Sequence, residues 1–179
     1  DCCPISDGAA AVVVTRADIA QNNKIAPTKI KASVQVSGRA KLAAHTNLCG
    51  FETTENAAKQ AFENAGVKPA DIDVVELHDC FSIAEIVDSE DMGFMSKGHG
   101  GGWVSEGRTQ INGDLPINPS GGLEAKGHPV GATGLGQIYE VVHQLRGTHP
   151  NQVKNARLGM THNLGGTGVS CTVNILAAE

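Results

Sequence analysis

Residues 117–137 read INPSGGLEAKGHPVGATGLGQ, a glycine-rich stretch that leads directly into a helix-like pattern. One imidazole, His128, is held between Gly127 and Pro129 just before that pattern begins. Glycines let a backbone approach a ligand closely, and a histidine held in such a turn can act as a general base near neutral pH. The alternative is a surface loop with an incidental histidine. Because the loop leads so directly into a well-patterned helix, we favour a functional loop.

Outward from this stretch, strand-like and helix-like patterns alternate along the chain. Apolar and β-branched runs predict five strands, over residues 8–15, 29–37, 72–77, 156–162 and 169–176. The first run is uninterrupted, which is typical of a buried strand, and a glycine turn separates the last two. This alternation predicts an α/β fold, a mixed sheet layered between helices, in which the last two strands are antiparallel.

Helix-like patterns fill the intervals between these strands. They cover residues 16–22, residues 53–64, a segment that ends near Gly93, and residues 131–146. The second helix is expected to start at a capping Thr53 or Thr54 and to stop at Gly66. The last two helices carry apolar stripes, namely Ile83, Ile86 and Val87 on one and Leu135, Ile138, Val141, Val142 and Leu145 on the other. Residues 96–127 predict a long irregular loop, a type that is usually functional or disordered.

Composition excludes several classes of function. The chain has 179 residues, of which 40% are hydrophobic and 18% charged, as in a globular domain with a substantial core. The net charge of −5 and the absence of Lys/Arg clusters argue against nucleic acid, and four Phe, one Trp and one Tyr offer no base-stacking platform. No apolar run is long enough to span a bilayer, so no membrane association is expected.

Cysteine and histidine spacing adds two expectations. The five cysteines form no CxxC pair, which fits a reducing compartment, the cytoplasm or alternatively the peroxisome. The seven histidines show no HExxH or HxxxH spacing, so no metal site is predicted.

Two further segments lie where chemistry is usual. In HDCFS, residues 78–82, Cys80 follows a strand and precedes a helix, whose dipole would favour the thiolate, although a small buried residue at a tight junction is an equal alternative. In HNLGGTG, residues 162–168, glycine N–H groups could face an oxyanion, or the segment is simply a hairpin turn. The adjacent Cys2 and Cys3 are expected to be incidental.

Four segments taken together resemble the thiolase superfamily. They are DCCPISDGAAAVVV at 1–14, VVELHDCFSIAE at 74–85, INPSGGLEAKGHPVGATGLGQ at 117–137 and THNLGGTG at 161–168. The HDCF motif is similar to that of the sterol-carrier-protein (non-specific lipid-transfer) thiolases and acetyl-CoA acetyltransferase-like members, where other thiolases carry NEAF. The resemblance implies a thiolase fold and acyl transfer on coenzyme A through an acyl-cysteine intermediate.

The resemblance also implies roles for individual residues. His128 matches the GHP histidine that activates the nucleophilic cysteine, and His78 replaces the NEAF asparagine that completes the oxyanion hole. Cys80 would take the acid/base role, because Asn163 stands where many thiolases carry a second cysteine. Gly165 matches the glycine whose N–H serves a second oxyanion hole. The residues expected to contact or shape the substrate pocket are Cys3, Phe81, Ser82 and Gly127. The coenzyme A thioester is implied as substrate, with no covalently bound cofactor.

The family's nucleophilic cysteine has no counterpart in this sequence. Cys49 lies ahead of a helix, but its neighbours do not resemble the family's nucleophile motif. The chain therefore resembles the C-terminal half of a thiolase, with residues 1–26 as the last strand and connection of the N-terminal domain and residues 27–179 as the C-terminal domain. The resemblance implies an enzyme half-site completed by an N-terminal thiolase segment or subunit.

Further partners and alternatives follow from the same resemblance. Thiolases are commonly homo- or hetero-oligomers, and some relatives bind a small zinc-ribbon/OB-fold acyl-CoA-binding protein. One alternative function is a thiolase-like retro-aldolase acting on steroid side-chain acyl-CoA, although those relatives replace the residues that match Cys80 and His128. Another is a non-catalytic acyl-CoA- or lipid-binding partner.

Overall fold

The computed structural model describes residues 1–21 and 26–179 and contains a four-stranded mixed sheet. In chain order the strands are β1 (Thr28–Ser37), β2 (Val74–Glu76), β3 (Leu158–Gly165) and β4 (Ser170–Ala178). Their order across the sheet is β1-β4-β3-β2, with β4 antiparallel to both neighbours and β2 parallel to β3. The predicted α/β class, the mixed sheet and the antiparallel last pair are confirmed.

Two long helices cover opposite faces of this sheet. The helices are α1 (Ala17–Ala20), α2 (Glu52–Ala65), α3 (Ser82–Asp91), α4 (Gly100–Ser105), α5 (Gly122–Lys126) and α6 (Thr133–Arg146), with 3₁₀ turns at Leu42–Ala44 and Pro69–Asp71. The prediction of one irregular loop over residues 96–127 is wrong, because α4 and α5 lie inside it. No helix in the described residues is long and apolar enough to cross a membrane.

The period-two alternation of the strands divides the core into two layers. On β4, Val173 and Ile175 face α2, whose small Ala57 and Ala61 are fully buried and let the helix approach the sheet closely. The opposite face of the sheet packs on α6 around Val141. The strand β2 contributes Val75 to the first layer and Val74 to the second, and the chain then enters the HDCFS segment.

The start of α2 differs from the sequence prediction, whereas its end is confirmed. Gly66 ends the helix with a φ of +67°, a left-handed conformation that glycine adopts without strain. The predicted capping role of Thr53 and Thr54 is wrong. The cap residue is Phe51, whose backbone N–H donates to the carboxylate of Asp91, and both threonines lie buried within the first turn.

Residues 8–15 do not form the predicted buried strand. No strand in the described part of the chain pairs with them, and Val13 is 95% exposed. A strand needs a neighbour that accepts and donates its backbone hydrogen bonds, and the four-stranded sheet supplies none here. The helix predicted over residues 16–22 is the single turn α1, and Asn22 lies outside the described residues.

The predicted apolar stripe is not the face that α3 buries, and on α6 the stripe is buried only in part. On α3 the buried side includes Asp88, Ser89 and Asp91, whereas Ile83 is 60% exposed. On α6, Val141 and Leu145 are buried as predicted, but Gln137 and Gln144 share that face and Leu135 is exposed. Polar pairing inside the molecule thus overrides the apolar periodicity of α3, whereas α6 buries polar and apolar side chains on one face.

Candidate active site

The HDCFS loop is held in place by the carboxylate of Asp79. Its Oδ1 accepts the backbone N–H of Leu123 at 2.8 Å and its Oδ2 that of Glu124 at 3.4 Å, which docks the start of α5 on the loop. Gly122 makes this docking possible, because its φ is +60° and a Cβ at that position would collide with the carboxylate of Asp79. The HDCFS loop and the helix α5 that leads into the KGHP turn therefore lie side by side.

His128 lies directly before α6 and its ring is oriented by the first turn of that helix. Its Nδ1 lies 2.7 Å from Oγ1 of Thr133, whose hydroxyl donates in turn to the carbonyl of Pro129 at 3.3 Å. Since the single Thr133 proton is used on Pro129, Nδ1–H of His128 is the donor to Thr133. This arrangement leaves Nε2 of His128 as the basic nitrogen.

The structure brings His78 and His128 into contact. Their ring centroids are 4.9 Å apart and the ring planes meet at 81°, an edge-to-face arrangement. Burial, and to a lesser extent the neighbouring His128, lowers the pKa of His78 to about 4. His78 is therefore neutral near pH 7, a form in which an imidazole N–H can donate to a developing oxyanion without carrying a charge.

Residues 2–6 form an extended segment, the N-terminal strap, that joins both loops. Cys3 N–H donates to the carbonyl of Cys80 at 3.1 Å, and His128 N–H donates to the carbonyl of Pro4 at 2.8 Å. Cys2 pairs with Phe81 in an isolated antiparallel bridge. Cys3 was expected to contact the substrate, and the strap brings its backbone next to Cys80.

Three more predicted pocket residues lie around the strap. Gly127, at a φ of +82°, faces the side chain of Ser6, and a Cβ there would meet Oγ of Ser6. Phe81 is half exposed, and the exposed Ser82 donates from Oγ to Asp1 at 2.9 Å. The strap thus passes between the HDCFS loop and the KGHP turn, with an open apolar side chain, Phe81, at its rim.

Cys80 is partly buried, and its electrostatic environment is opposite to the sequence prediction. Burial first, and then the charge of Asp88, raise the pKa of the thiol to about 11. Backbone N–H groups at the start of α3 do lower this pKa, as the dipole argument requires, but burial outweighs them. The expectation of a favoured thiolate is therefore wrong, and Cys80 is a thiol near pH 7.

Gly165 and Asn163 lie on β3 rather than in the predicted turn. The contacts that the described residues show for Gly165 are with Ser170 and Val169 of the β3–β4 connection, not with His78, Cys80 or His128. Asn163 donates from Nδ2 to Gln137 on α6 at 3.2 Å. The predicted oxyanion role of Gly165 stays a prediction.

The remaining cysteines differ from Cys80 in their surroundings. Cys49 is exposed in the loop before α2, and its N–H donates to Asn47 at 2.8 Å. Cys171 is fully buried on β4, and burial raises the pKa of its thiol to about 12. Within residues 1–21 and 26–179, no three His, Cys, Asp or Glu side chains come together in a way that could hold a metal ion.

Asn118 fixes the end of β2, a role that was not predicted from the sequence. Its Oδ1 accepts the backbone N–H of Leu77 at 2.8 Å, and its Nδ2 donates to Glu85 of α3 at 3.2 Å. Asn118 holds a φ of +48°, a conformation that asparagine tolerates better than most residues. The Asn-Pro dipeptide at 118–119 was the available signal, since it favours a turn.

Comparison with known proteins gives the same family throughout the chain. Residues 34–178 match the family described as thiolase C-terminal domain-like. An acetyl-CoA acetyltransferase from Methanothermobacter thermautotrophicus is 52% identical over 178 residues, 99% of this chain and 46% of that protein. Sterol carrier protein 2 from Homo sapiens is 39% identical over 170 residues, 92% of this chain and 31% of that protein.

A solved structure shows a similar fold. The structure titled Ltp2-ChsH2(DUF35) aldolase matches with a TM-score of 0.82 at 26% sequence identity, over 90% of this chain and 42% of that chain. The chain spans less than half the length of each of these three proteins.

Proposed function

Because this chain belongs to the thiolase C-terminal domain family, we propose that it is the C-terminal part of an acyl-CoA C-acyltransferase, an acetyl-CoA acetyltransferase or 3-ketoacyl-CoA thiolase. The observation that carries the proposal is the contact between His78 and His128 beside Cys80. A base, a neutral N–H donor and a thiol then lie within one site. The nucleophilic cysteine is supplied by an N-terminal thiolase segment, either on the same polypeptide or on another.

In this proposal the two imidazoles have different roles. Nε2 of His128 takes the proton of the nucleophilic cysteine, because Thr133 already occupies Nδ1. The neutral His78 donates a hydrogen bond to the thioester oxygen as negative charge develops on it. Its lowered pKa supports this role, since a neutral ring remains available over the whole physiological pH range.

Cys80 moves the proton that the two half-reactions share. It starts as a thiol and gives its proton to the sulfur of departing coenzyme A while the nucleophile is acylated. The resulting thiolate takes the α-proton of a second acyl-CoA, whose carbanion attacks the acyl-cysteine, so a C–C bond forms and the C–S bond breaks. A thiol with a raised pKa fits this order, because the acid form is needed first. The coenzyme A thioester is the substrate, with no covalently bound cofactor.

Partners follow from the same assignment. The solved aldolase is titled as an assembly with a ChsH2(DUF35) component, which supports a second protein bound to thiolase-like chains of this type. We expect this chain to work in a homo- or hetero-oligomer with an N-terminal thiolase segment, and to accept a small acyl-CoA-binding protein of the zinc-ribbon/OB-fold kind.

The test is acetyl transfer by this chain assembled with an N-terminal thiolase segment. Acetyl-CoA should acylate the nucleophile, detected by mass spectrometry, and coenzyme A should be released as condensation proceeds. His128→Ala should lower the rate about 10²–10⁴-fold, as expected for loss of a general base. His143→Ala is the matched control, since His143 lies in the last turn of α6 and pairs with Thr148 just beyond the end of that helix. Near-normal turnover in a correctly folded His128→Ala protein would contradict the assignment.

The structural similarity to the Ltp2-ChsH2(DUF35) aldolase supports one alternative, a retro-aldolase acting on acyl-CoA side chains of steroids. Such an enzyme cleaves a C–C bond without an acyl-cysteine, so it needs neither Cys80 nor a base for a nucleophile. The presence of Cys80 and His128 favours acyl transfer. Trapping of an acyl-cysteine separates the two functions, and coenzyme A binding with neither reaction would indicate the non-catalytic binding partner.

A further inference from the structure

Two cysteines from distant parts of the chain meet where the N-terminal strap crosses the HDCFS loop. The backbone N–H of Cys3 donates to the carbonyl of Cys80 at 3.1 Å. The next pair along the crossing, Cys2 and Phe81, forms an isolated antiparallel bridge. The two segments therefore run as a short antiparallel ribbon. The proton transfers of the proposed function do not use the thiol of Cys3.

The antiparallel ribbon places Cys3 and Cys80 directly opposite each other. Counted from the bridge between Cys2 and Phe81, the residue after Cys2 faces the residue before Phe81. Opposite residues in such a ribbon project their side chains to the same side, with Cα atoms about 4.5–5.5 Å apart. Disulfides join cysteines whose Cα atoms are about 4.4–6.8 Å apart. Rotation of the two side chains, with little movement of the backbone, is therefore enough to join the sulfur atoms.

Hydrogen bonds on both sides of the crossing hold this geometry in place. On one side, Oγ of Ser82 donates to the carboxylate of Asp1 at 2.9 Å. On the other side, the N–H of His128 donates to the carbonyl of Pro4 at 2.8 Å, and Ile5 pairs with His128 in an isolated parallel bridge. The two thiols therefore stay opposite each other even when no bond joins them.

The two thiols differ in their exposure to solvent. Cys3 is 8% exposed, whereas Cys80 is partly exposed and precedes Phe81, which is 50% exposed. Burial, followed by the neighbouring Cys2, raises the pKa of Cys3, and Cys3 is itself among the groups that raise the pKa of Cys80. A small oxidant would therefore reach Cys80 first, and Cys3 is close enough to react with it next.

We infer that Cys3 and Cys80 form a reversible disulfide when a small-molecule disulfide, such as glutathione disulfide, is in excess over its thiol. In this disulfide Cys80 has no proton to give to departing coenzyme A, so condensation stops. The loss of condensation rests on the proposed function, whereas formation of the disulfide does not.

The disulfide forms by two successive thiol–disulfide exchanges. The thiolate of Cys80 attacks one sulfur of glutathione disulfide, whose S–S bond breaks, and the first glutathione leaves as a thiolate. The thiolate of Cys3 then attacks the sulfur of Cys80 in this mixed disulfide, and the second glutathione leaves. The two thiol protons of the cysteines end on the two glutathione thiolates. Two electrons pass from the cysteine pair to the small disulfide, so an excess of thiol reverses the reaction.

The experiment maps disulfides in the chain assembled with an N-terminal thiolase segment. The protein is equilibrated at pH 8 in glutathione buffers that range from reducing to oxidising, and free thiols are blocked with N-ethylmaleimide. Mass spectrometry of unreduced tryptic peptides should find residues 1–16 joined to the peptide that carries Cys80 in the oxidising buffers, and dithiothreitol should release them. The absence of this link in every buffer would overturn the inference. A link between Cys80 and the nucleophilic cysteine of the N-terminal segment, in its place, would also overturn it.

Two variants assign the bond, because residues 1–16 contain both Cys2 and Cys3. In Cys3→Ser the exchange should stop at the mixed disulfide of Cys80 with glutathione, and no linked peptide should form. Cys2→Ser is the matched control in the same strap, and it should keep the link because Cys2 lies opposite Phe81. A link that survives in Cys3→Ser and is lost in Cys2→Ser would overturn the inference.

Acetyl-CoA condensation is measured in the same samples, relative to the same protein treated with dithiothreitol. Condensation by the wild type should fall as the linked fraction rises and return with dithiothreitol. An unchanged rate in fully linked protein would overturn the inferred loss of condensation together with the acid role of Cys80. A link that forms in a protein whose reduced form does not condense acetyl-CoA would support the disulfide and overturn the proposed function.

Discussion

At the scale of single residues, Thr133 determines which nitrogen of His128 is basic. Its hydroxyl receives Nδ1–H and donates to the carbonyl of Pro129, so the ring can neither flip nor exchange its proton between nitrogens without losing a hydrogen bond. The oxygen of one threonine in the first turn of α6 therefore fixes the tautomer on which the proposed proton transfer depends.

Thr133→Val tests this function of the hydroxyl. The variant keeps the shape but removes the acceptor of Nδ1–H, so a fraction of His128 rings should adopt the wrong tautomer. We expect kcat to fall about tenfold, the equivalent of one hydrogen bond, with KM nearly unchanged. Steady-state kinetics of the assembled protein measure both constants, and Thr133→Ser should restore kcat. A Thr133→Val protein with wild-type kcat would show that the tautomer is set elsewhere.

Cys80, rather than Cys171, is predicted to be the second catalytic cysteine. The carbonyl of Cys80 accepts the N–H of Cys3 in the strap, and Cys80 is two residues from His78, whereas Cys171 is fully buried on β4. In Cys80→Ala the nucleophile should still be acylated, because a thiolate leaves readily, but the α-proton cannot be removed and condensation stalls. Mass spectrometry of the acyl-enzyme and a coupled condensation assay measure the two steps. Condensation at the wild-type rate in Cys80→Ala, with loss of condensation in Cys171→Ala, would reverse the assignment.

Sequence patterns nominated the candidate site residues, but they did not predict the surroundings of those residues. His78, Cys80 and His128 stand in motifs, so a short segment identifies each of them. Asp88 and Thr54 have no such signature, because their contacts join residues that are 34 positions apart. The raised pKa of Cys80 depends on burial and on Asp88, so no local rule about helix dipoles could have given its direction.

At the scale of secondary structure elements, a chain of polar contacts fastens the KGHP turn to the sheet. Glu76 of β2 accepts from the hydroxyl of Ser120 at 2.6 Å, and Lys126 of α5 donates to the same hydroxyl oxygen at 2.7 Å. Lys126 also pairs with Glu140 of α6 at 2.9 Å. The helix that precedes His128 is thus tied to both β2 and α6.

Glu76 should make the stability of the assembled protein depend on pH. Burial raises its pKa from 4.5 to about 7, so its contribution to stability is complete below pH 4.5 and is lost as the pH rises to about 7. In the wild type, the titration of Glu76 should lower the free energy of unfolding by on the order of 3 kcal/mol at most between pH 4.5 and pH 8. Because Gln cannot titrate, Glu76→Gln should lack this decrease. Urea unfolding at these two pH values measures the difference.

The comparison isolates Glu76 because Glu85 and Asp88, whose pKa values burial also raises to about 7, are present in both proteins. Glu63→Gln, an exposed change on α2, should leave the pH dependence as it is. An equal change of the unfolding free energy with pH in wild type and Glu76→Gln would mean that the Ser120 and Lys126 contacts already compensate the burial of this carboxylate.

Elements that bury an apolar face within this chain could be predicted from the sequence. Elements that bury a polar face, or whose apolar face nothing in this chain covers, could not. The strands β1, β3 and β4 and the glycine end of α2 follow local patterns and were predicted within a few residues. On α3, Ile83 of the apolar face is exposed, whereas the polar face of the helix pairs with Thr54 and Asn118. Periodicity identifies an apolar face but not the molecule that covers it.

At the scale of the whole molecule, several large apolar side chains are exposed on or near the strap and the two loops. They are Ile5 at 94%, Val13 at 95%, Val14 at 71%, Val130 at 75% and Ile83 at 60% exposure. Single exposed apolar residues are ordinary in soluble proteins, but a group of this size is typical of a surface that another chain or domain covers. The proposed N-terminal thiolase segment would cover it and supply the neighbour that residues 8–15 lack.

The last prediction follows from that surface: the 179-residue chain alone should self-associate, and co-expression with an N-terminal thiolase segment should give a defined complex. Light scattering and size-exclusion chromatography measure both states. The double change Val13→Ser and Val14→Ser should reduce self-association and also weaken the complex, since the same side chains serve both contacts. Leu48→Ser, a change at an exposed apolar residue in the loop before α2, should do neither. A monodisperse chain that melts cooperatively by itself would contradict the prediction, because the exposed valines would then need no partner.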